Sequence, residues 1–136
     1  MIIADTSGLL AFFNHREPAH ERAREVVEAT TDPLVVSPFV LAELDYLVAT
    51  RFGVTAELTV LSELSSGGYS LANFDTADLE RAHDVIERYR DQELGLCDAS
   101  LVVLADRWST RQILTLDHRH FDVVRPLDGG RFKVLL

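Results

Sequence analysis

The chain opens with Met1-Ile2-Ile3-Ala4-Asp5, a short apolar run that ends in an acidic residue. Such a run predicts a buried strand over about residues 2–5. A helix is expected next, near Ser7–Phe13, with Asp5 or Thr6 as its cap. An acidic side chain at the edge of a buried element is unfavourable unless it is paired, hydrogen-bonded or bound to a cation. The position of Asp5 therefore needs an explanation.

Three more acidic residues occupy comparable positions in apolar sequence. They are Glu43 inside the stretch 39–44, Asp98 directly before the run 99–104, and Asp117 directly after the run 113–116. With Asp5 they would form a repulsive cluster if they met at one end of a sheet, because like charges raise one another's pKa unless a cation neutralises them. Oxygen ligands select Mg²⁺ or Mn²⁺ over zinc. The four residues indicate a divalent-metal site and phosphodiester chemistry by metal-assisted attack of water.

The overall composition is that of an ordinary globular protein. The chain has 136 residues, 47% hydrophobic and 26% charged, which predicts a single domain spanning residues 1–136. Its start lacks a basic leader, and no apolar stretch reaches membrane-spanning length, so we expect a cytoplasmic protein without membrane contact. The lone Cys97 excludes an internal disulfide and is expected to be a small buried hydrophobe.

The net charge of −9 argues against a protein that coats nucleic acid. It does not argue against a nuclease whose acidic site is bridged to phosphate by a metal ion. An acidic body also suits a basic protein partner.

Apolar strands alternate with helical patterns along the whole chain, which predicts an α/β fold with a mainly parallel sheet covered on both faces. Functional groups of such sheets gather beyond the carboxyl ends of the strands, where Asp5 and Asp117 fall. The remaining predicted elements are a helix from Pro18 to Glu28, a strand at Leu34–Val36, helices from Ser37-Pro38 to Gly53 and from Thr55 to Leu64, a strand at Tyr69–Ala72, helices from Asp75 to Arg90 and from Asp98 to Trp108, and strands at Ile113–Leu116 and Phe132–Leu135.

Each acidic residue also has a purely structural explanation. Asp5 and Asp98 can be helix N-caps, and Asp117 can be a turn residue. Glu43 is harder to explain in this way, because its helical neighbours at three and four residues are apolar or aromatic. Its helix is therefore expected to be mostly buried, with a salt bridge to an arginine as the alternative role of Glu43. Asp45 points to the opposite side of the helix and is expected to face a subunit or partner.

Hydroxyl side chains beside the acids are candidates to hold the carboxylates in place. Thr6, Ser7 and Thr115 are the expected hydrogen-bond donors, with capping and strand-end bonding as their alternative roles. His118 and His120 follow Asp117 and could contact the substrate, although a solvated loop is the favoured interpretation. None of the five histidines shows zinc-ligand spacing.

Four segments in this order resemble the PIN-domain family, and within it the VapC-like toxins of bacterial toxin–antitoxin pairs. The segments are Ile3-Ala4-Asp5-Thr6-Ser7, Val40-Leu41-Ala42-Glu43-Leu44, Leu96-Cys97-Asp98-Ala99 and Thr115-Leu116-Asp117-His118-Arg119-His120-Phe121. The resemblance implies a three-layer α/β/α sandwich and a Mg²⁺- or Mn²⁺-dependent endoribonuclease. It also implies that Asp5, Glu43, Asp98 and Asp117 are the acidic quartet, with Asp5 and Asp98 as direct metal ligands.

The resemblance further implies in-line cleavage of RNA that leaves a 5′-phosphate and a 3′-hydroxyl. It implies a homodimer and a small antitoxin partner, whose arginine enters the acidic pocket.

Other classes fit the residues less well. Aspartyl-phosphate phosphatases require a second aspartate two residues after the first, where this chain has Ser7. A phosphoacceptor receiver domain requires a lysine after a later strand, and Lys133 inside the last strand fits poorly. The remaining alternative is a catalytically inactive PIN-like module that binds RNA or protein; loss of an acid would mark it, and none is missing.

Overall fold

The computed structural model describes all 136 residues and contains five strands and seven α-helices. The strands are β1 (Ile2–Ala4), β2 (Leu34–Val36), β3 (Tyr69–Leu71), β4 (Gln112–Leu114) and β5 (Lys133–Val134). The helices are α1 (Thr6–Phe13), α2 (His20–Ala29), α3 (Pro38–Phe52), α4 (Val54–Leu64), α5 (Thr76–Arg88), α6 (Leu96–Arg107) and α7 (His118–Phe121), with a 3₁₀ turn at Arg90–Gln92.

Two predicted helix starts are wrong. The second helix begins at His20, so Pro18 lies in the preceding turn rather than in its first turn. The sixth helix begins at Leu96, with Gly95 as its N-cap, and Asp98 lies inside its first turn. The sequence signals for α7 and for the 3₁₀ turn were too short to predict either element.

All strand pairs are parallel, and the strand order is β3-β2-β1-β4-β5. The predicted parallel sheet is therefore confirmed. The chain runs outward from β1 through β2 to β3 and then returns to place β4 on the other side of β1. Since parallel crossovers are right-handed, this reversal puts helices on both faces of the sheet. The gap beyond the carboxyl ends of β1 and β4 is the point where ligands bind in sheets of this kind.

The central strands are buried on both faces, as near-continuous apolar runs predict. Every residue of β1 and β2 is buried, and α6 contributes seven consecutive buried residues, 99–105. Ser37, at the predicted start of this helix, caps α3 by accepting a 3.1 Å hydrogen bond from the backbone of Phe39. Its hydroxyl also lies 2.7 Å from that of Ser100, with both side chains fully buried. This contact joins the end of β2 to α6 near the first turn that carries Asp98.

Helix α1 lies unusually close to β4. A Cβ atom added to Gly8 would overlap the carbonyl oxygen of Leu114, so only glycine fits this position. The close approach brings the start of α1 against the end of β4 and so sets the distance between Asp5 and Thr115. None of the helices combines the length and apolar character that a membrane span requires.

Candidate active site

Asp5 lies where β1 ends and α1 begins, and its carboxylate is hydrogen-bonded on both oxygens. Oδ1 accepts from the backbone of Thr6 at 2.7 Å, and Oδ2 accepts from the hydroxyl of Thr115 at 2.8 Å. The side chain therefore caps α1, yet it also sits at the carboxyl edge of the sheet. Because each carboxylate oxygen can accept two bonds, both keep capacity for a cation.

Burial raises the pKa of Asp5, which is only 7% exposed. The hydrogen bonds from Thr115 and Thr6 oppose this change, and the negative charges of Glu43 and Asp117 add to it. The carboxylate is thus held in a place where its own charge is unfavourable. A bound cation would relieve that cost.

The hydroxyl of Thr115 connects Asp5 to the other side of the site. It donates to Asp5 and accepts from the backbone N–H of Asp117 at 2.9 Å. The Ser7 hydroxyl lies 3.1 Å from it and accepts from the backbone of Leu116 at 2.9 Å. Since Thr115 has one hydroxyl hydrogen, Ser7 is the donor in their contact. Two of the three predicted hydroxyls therefore fix the positions of the acids.

Thr6 differs from these two residues. Its backbone N–H binds Asp5, but its own hydroxyl oxygen is buried and, apart from the adjacent Cys97 thiol whose pKa it acts to lower, has no polar partner within the chain. A buried polar atom with so weak a partner is rare and indicates a missing ligand, water or ion.

Asp98 projects from the first turn of α6, so its alternative role as N-cap is excluded. No N–H or O–H of the chain donates a hydrogen bond to its carboxylate; the nearest cation is the ring of His120, with Nδ1 at 3.6 Å. Burial, followed by the charge of Asp5, raises the pKa of Asp98 to about 6, while His120 opposes the change.

Asp117 caps α7 by accepting from the backbone N–H of His120 at 3.0 Å. Its second oxygen lies 2.8 Å from Nδ1 of the same histidine. Partial burial acts to raise the pKa of Asp117, but the hydrogen bonds from His120 outweigh it and hold the pKa below its ordinary value. Asp117 is therefore a helix N-cap rather than the turn residue of the alternative interpretation. Capping does not account for the side-chain contact with His120.

For His120 the sequence predicts a solvated loop or a substrate contact and misses its contacts with Asp117 and Asp98. The structure places it in α7 rather than in the solvated loop we expected, whereas His118 is exposed. Its Nε2 lies 3.0 Å from the carbonyl oxygen of Gln92, and its Nδ1 faces Asp117. Both ring nitrogens thus face acceptors, which requires hydrogens on both; the bond to Asp117 raises the pKa of His120 accordingly. Its spacing of three residues after Asp117 was the available signal.

The expectation of a mostly buried helix around Glu43 is wrong. Of α3, only Val40, Leu44 and Val48 are buried, and Glu43 is exposed. Glu43 forms no ion pair, so the arginine alternative is not observed either. Its charge nevertheless acts to raise the pKa of both Asp5 and Asp98, which places it beside the cluster. Asp45, on the other side of α3, has one buried oxygen without a hydrogen bond.

Three of these side chains converge most tightly. The ligand atoms of Asp98, Asp117 and His120 all lie within 4.8 Å of one another. Asp5 lies at the same end of the sheet, to which Thr115 connects it, and Glu43 lies at the margin of this cluster. Cys97 lies next to them and is half-buried rather than fully buried as expected. Burial, followed by the charges of the acids, raises its pKa to about 12, so it stays a neutral thiol. The arrangement is a negatively charged pocket with oxygen ligands for a cation.

Comparison with known proteins agrees with this geometry. The model of the PIN domain matches residues 2–126. Ribonuclease VapC26 of Mycobacterium tuberculosis (strain ATCC 25618 / H37Rv) is 55% identical over 134 residues, which are 98% of this chain and 99% of that protein.

Two crystal structures share the fold at lower identity. One, of the sarcin-ricin loop cleaving toxin VapC20 of Mycobacterium tuberculosis, has a TM-score of 0.80 at 20% identity and covers 88% of this chain and 92% of its own. The other, of DNA-bound VapBC from Salmonella typhimurium, has a TM-score of 0.76 at 17% identity, with 99% and 98% covered. The chain therefore belongs to the PIN-domain family and is a VapC-like member of it.

Proposed function

We propose that this protein is a divalent-metal-dependent endoribonuclease, with Asp5, Glu43, Asp98 and Asp117 as its acidic site. The observation that carries the proposal is the meeting of Asp5, Asp98 and Asp117 at the carboxyl ends of β1 and β4. The 55% identity to Ribonuclease VapC26 over nearly the whole chain supports RNA as the substrate. An inactive binding module would not need to keep these mutually repelling acids.

The residues present fit Mg²⁺ or Mn²⁺. The Asp98 carboxylate receives no hydrogen bond from the chain and has a raised pKa, and the buried Thr6 hydroxyl has no polar partner except the Cys97 thiol. Asp5 and Asp98 are the proposed direct ligands, with Asp117 and Glu43 completing the set. The donors are mainly carboxylate oxygens, which hard cations prefer. When bound, such a cation neutralises charge at the scissile phosphate and lowers the pKa of a water molecule.

The chain's own residues orient this site. Thr115 and Ser7 hold Asp5 and the backbone of residues 116–117, and His120 holds the Asp117 carboxylate. A carboxylate that is fixed in this way needs no reorganisation when a cation and a phosphate enter. The negative charge of the site repels the scissile phosphate in the absence of the cation, so that cleavage is expected to depend on metal.

We further propose that the protein is the toxin of a toxin–antitoxin pair that acts in the cytoplasm as a homodimer. Support comes from the relation to Ribonuclease VapC26 and from the fold shared with a VapBC complex. Large apolar side chains on α3 and α4 are also exposed, among them Tyr46 at 66% and Leu58 at 61%. Exposed apolar surface of this kind marks a protein contact, and the negative pocket suits an arginine of a small antitoxin.

The nuclease is tested by incubating the protein with total cellular RNA and Mg²⁺ or Mn²⁺, with EDTA as a control. Wild type and the variant Asp84→Asn are expected to cut RNA at discrete sites, because Asp84 is exposed and lies on α5 away from the pocket. Asp5→Asn and Asp98→Asn are expected to lose cleavage. Cleavage that survives EDTA, or that survives in both variants, would show the proposed site to be wrong.

The toxin role needs a separate test in cells. Induced expression of the wild-type chain is expected to arrest growth, whereas Asp98→Asn is not. Coexpression of the proposed antitoxin is expected to restore growth. The antitoxin is also expected to co-purify with the chain. Arrest that persists in Asp98→Asn would contradict a toxic activity based on this site.

A further inference from the structure

Positive charge is concentrated at the end of the chain. Residues 107–136 contain six basic and three acidic residues, a net charge of +3, whereas residues 1–106 contain seven basic and nineteen acidic residues, a net charge of −12. Such an asymmetry within a domain indicates a surface for a polyanion. The acids of the proposed site do not account for this asymmetry. Residues 1–106 contain sixteen acids outside the site, whereas residues 107–136 contain only two.

Three of these six basic residues line a cleft at the opposite end of the sheet from the acidic pocket. The cleft has a volume of about 640 Å³ and lies between the end of α6 and the first residues of β4 and β5. Its lining includes Ser109, Arg111, Asp128, Arg131 and Lys133. Apart from Ala105 and Pro126, its residues are polar or charged, which is unlike the apolar lining of a site for a small organic ligand.

Arg111 is held in place in this cleft. Its guanidinium group pairs with Asp128 at 3.3 Å and lies over Gly130, where an added Cβ would stand 2.7 Å from Nη1. Gly130 has a φ of 84°, a conformation that favours glycine. The guanidinium therefore occupies space that a side chain at position 130 would fill. A pre-positioned arginine of this kind can bind phosphate oxygens with several N–H groups.

Arg131 and Lys133 provide the charge that the cleft does not neutralise. Both are exposed, and neither forms an ion pair within the chain. The two acids of the lining already have partners, since Asp106 pairs with Arg81 and Asp128 pairs with Arg111. The cleft thus offers two free cations beside the guanidinium of Arg111, and its ligand should be an anion with more than one charge.

An RNA strand of several nucleotides can reach from the acidic pocket to the cleft. Arg111 of the cleft and Asp117 of the pocket lie on either side of β4, six residues and therefore at most about 20 Å apart along the chain. Arg119 and Arg125, which also form no ion pair, belong to the segment that connects β4 to β5. A single strand of RNA that leaves the pocket along this edge would present its repeating phosphates to these side chains.

We propose that this cleft is a second contact for the RNA backbone, in which Arg111, Arg131 and Lys133 bind phosphates several nucleotides from the scissile bond. The proposal rests on the proposed ribonuclease function for the identity of the polyanion. Contacts of this type position a nucleic acid without reading its sequence. Mutating them should therefore weaken binding to all RNA targets alike and leave the chemical step unchanged.

The experiment compares two double variants that remove the same charge. Arg131→Ala/Lys133→Ala alters the cleft, and Arg16→Ala/Arg51→Ala removes two exposed, unpaired arginines from the acidic part of the chain. Binding of a short labelled single-stranded RNA of mixed sequence is measured by fluorescence anisotropy over a range of salt concentrations. The Asp98→Asn background prevents cleavage. The same double changes in the active protein give KM and kcat for RNA cleavage.

The cleft variant is expected to reduce the slope of log K against log salt by about 1.4, since each phosphate contact on a single strand contributes about 0.7. Its affinity should fall about tenfold at low salt, and its KM should rise with kcat unchanged. The control variant should change the slope far less. Equal slopes for the two double variants would overturn the proposal, as would a change in oligomeric state with RNA affinity unaltered, which would assign the cleft to contacts between copies of this chain.

The outcome separates this proposal from the nuclease itself. If wild type cleaves RNA and the cleft variant binds and cleaves it as wild type does, the cleft proposal fails and the ribonuclease stands. If RNA binds through the cleft but no RNA is cleaved, the ribonuclease proposal fails and the cleft stands. Absence of both binding and cleavage would overturn the two together.

Discussion

The hydroxyl of Thr115 donates a 2.8 Å hydrogen bond to Oδ2 of Asp5, so the end of β4 holds the acid that follows β1. The two residues are 110 positions apart in the chain and meet because β1 and β4 are parallel neighbours. The same hydroxyl accepts from the backbone of Asp117. One side chain therefore positions two of the proposed metal-binding acids.

Thr115→Val should reduce RNA cleavage by about 10- to 100-fold, the usual effect of removing a group that orients a metal ligand. Asp5 loses the hydrogen bond from Thr115, which lowers its pKa. The pKa of Asp5 therefore rises, and its carboxylate binds a cation less well. Thr115→Ser keeps the hydroxyl and is the matched control. Cleavage rates at saturating Mn²⁺ and the Mn²⁺ concentration for half-maximal rate provide the measurement; equal values for the two variants would contradict this role.

His120→Ala should lower cleavage by a similar factor, because Asp117 loses the N–H group that holds its second oxygen. His118→Ala is the control, since His118 is exposed on the same short helix and its ring makes no hydrogen bond. Steady-state rates for the two variants, together with their thermal unfolding, separate an effect on the site from an effect on folding. A loss of activity in His118→Ala alone would reverse our assignment of the two histidines.

The stability of the metal-free protein should fall between pH 4.5 and pH 7.5 because of Asp98. Its folded pKa of about 6 lies above the ordinary 3.8, so the unfolded chain releases this proton first as pH rises. The contribution of Asp98 to the free energy of unfolding is therefore fully present below about pH 4 and is lost as pH rises through about 6. This group accounts for a loss of about 2 kcal/mol over the measured interval.

Asp98→Asn should remove that part of the pH dependence. Urea unfolding in EDTA at the two pH values, for wild type and variant, gives the comparison. Adding Mg²⁺ at pH 7.5 should then stabilise wild type and leave the variant nearly unchanged. Identical pH profiles for the two proteins would show that Asp98 does not carry the unfavourable charge.

Gly8→Ala should destabilise the protein by at least about 3 kcal/mol, the upper end for overpacking, because the new Cβ would overlap the backbone oxygen of Leu114. Gly67→Ala is the control, since nothing lies within 4 Å of a Cβ at that position. Denaturant midpoints measure both. A Gly8→Ala protein as stable as Gly67→Ala would mean that α1 does not lie as close to β4 as described.

The arrangement of the sheet could be predicted because its signals are local and strong. The runs at Ile2–Ala4 and Leu34–Val36 are apolar throughout, as strands covered on both faces require, and Ser37-Pro38 marks the start of α3. Parallel pairing then follows from the alternation with helices. These features also predict that Asp5 and Asp117 lie at one edge, without any knowledge of side-chain contacts.

The surroundings of Glu43 could not be predicted in the same way. Apolar neighbours such as Tyr46 suggested a buried helix, yet Tyr46 is 66% exposed. Periodicity counts apolar residues without distinguishing those that face the chain's own core from those that face solvent or a partner. The prediction that Glu43 lies beside the other acids therefore rests on an incorrect physical reason, although its charge does act on the pKa of Asp5 and Asp98.

The contacts of His120 could not be predicted, because one of them is long-range and because the elements that form them are very short. Its ring reaches the carbonyl of Gln92, which lies in a 3₁₀ turn of three residues. It sits in α7, which has four residues and almost no periodic pattern. Only the distance in space between α7 and α6 reveals that His120 and Asp98 are neighbours.

The most direct test of the account is a titration of wild type, Asp98→Asn and Asp84→Asn with Mn²⁺, followed by electron paramagnetic resonance, with RNA cleavage measured at each Mn²⁺ concentration. Cleavage by wild type and Asp84→Asn should rise in step with the fraction of bound Mn²⁺, and Asp98→Asn should bind Mn²⁺ at least tenfold more weakly and fail to cleave. Equal Mn²⁺ affinity and cleavage in Asp98→Asn, or cleavage by wild type before any Mn²⁺ is bound, would contradict the proposed metal site.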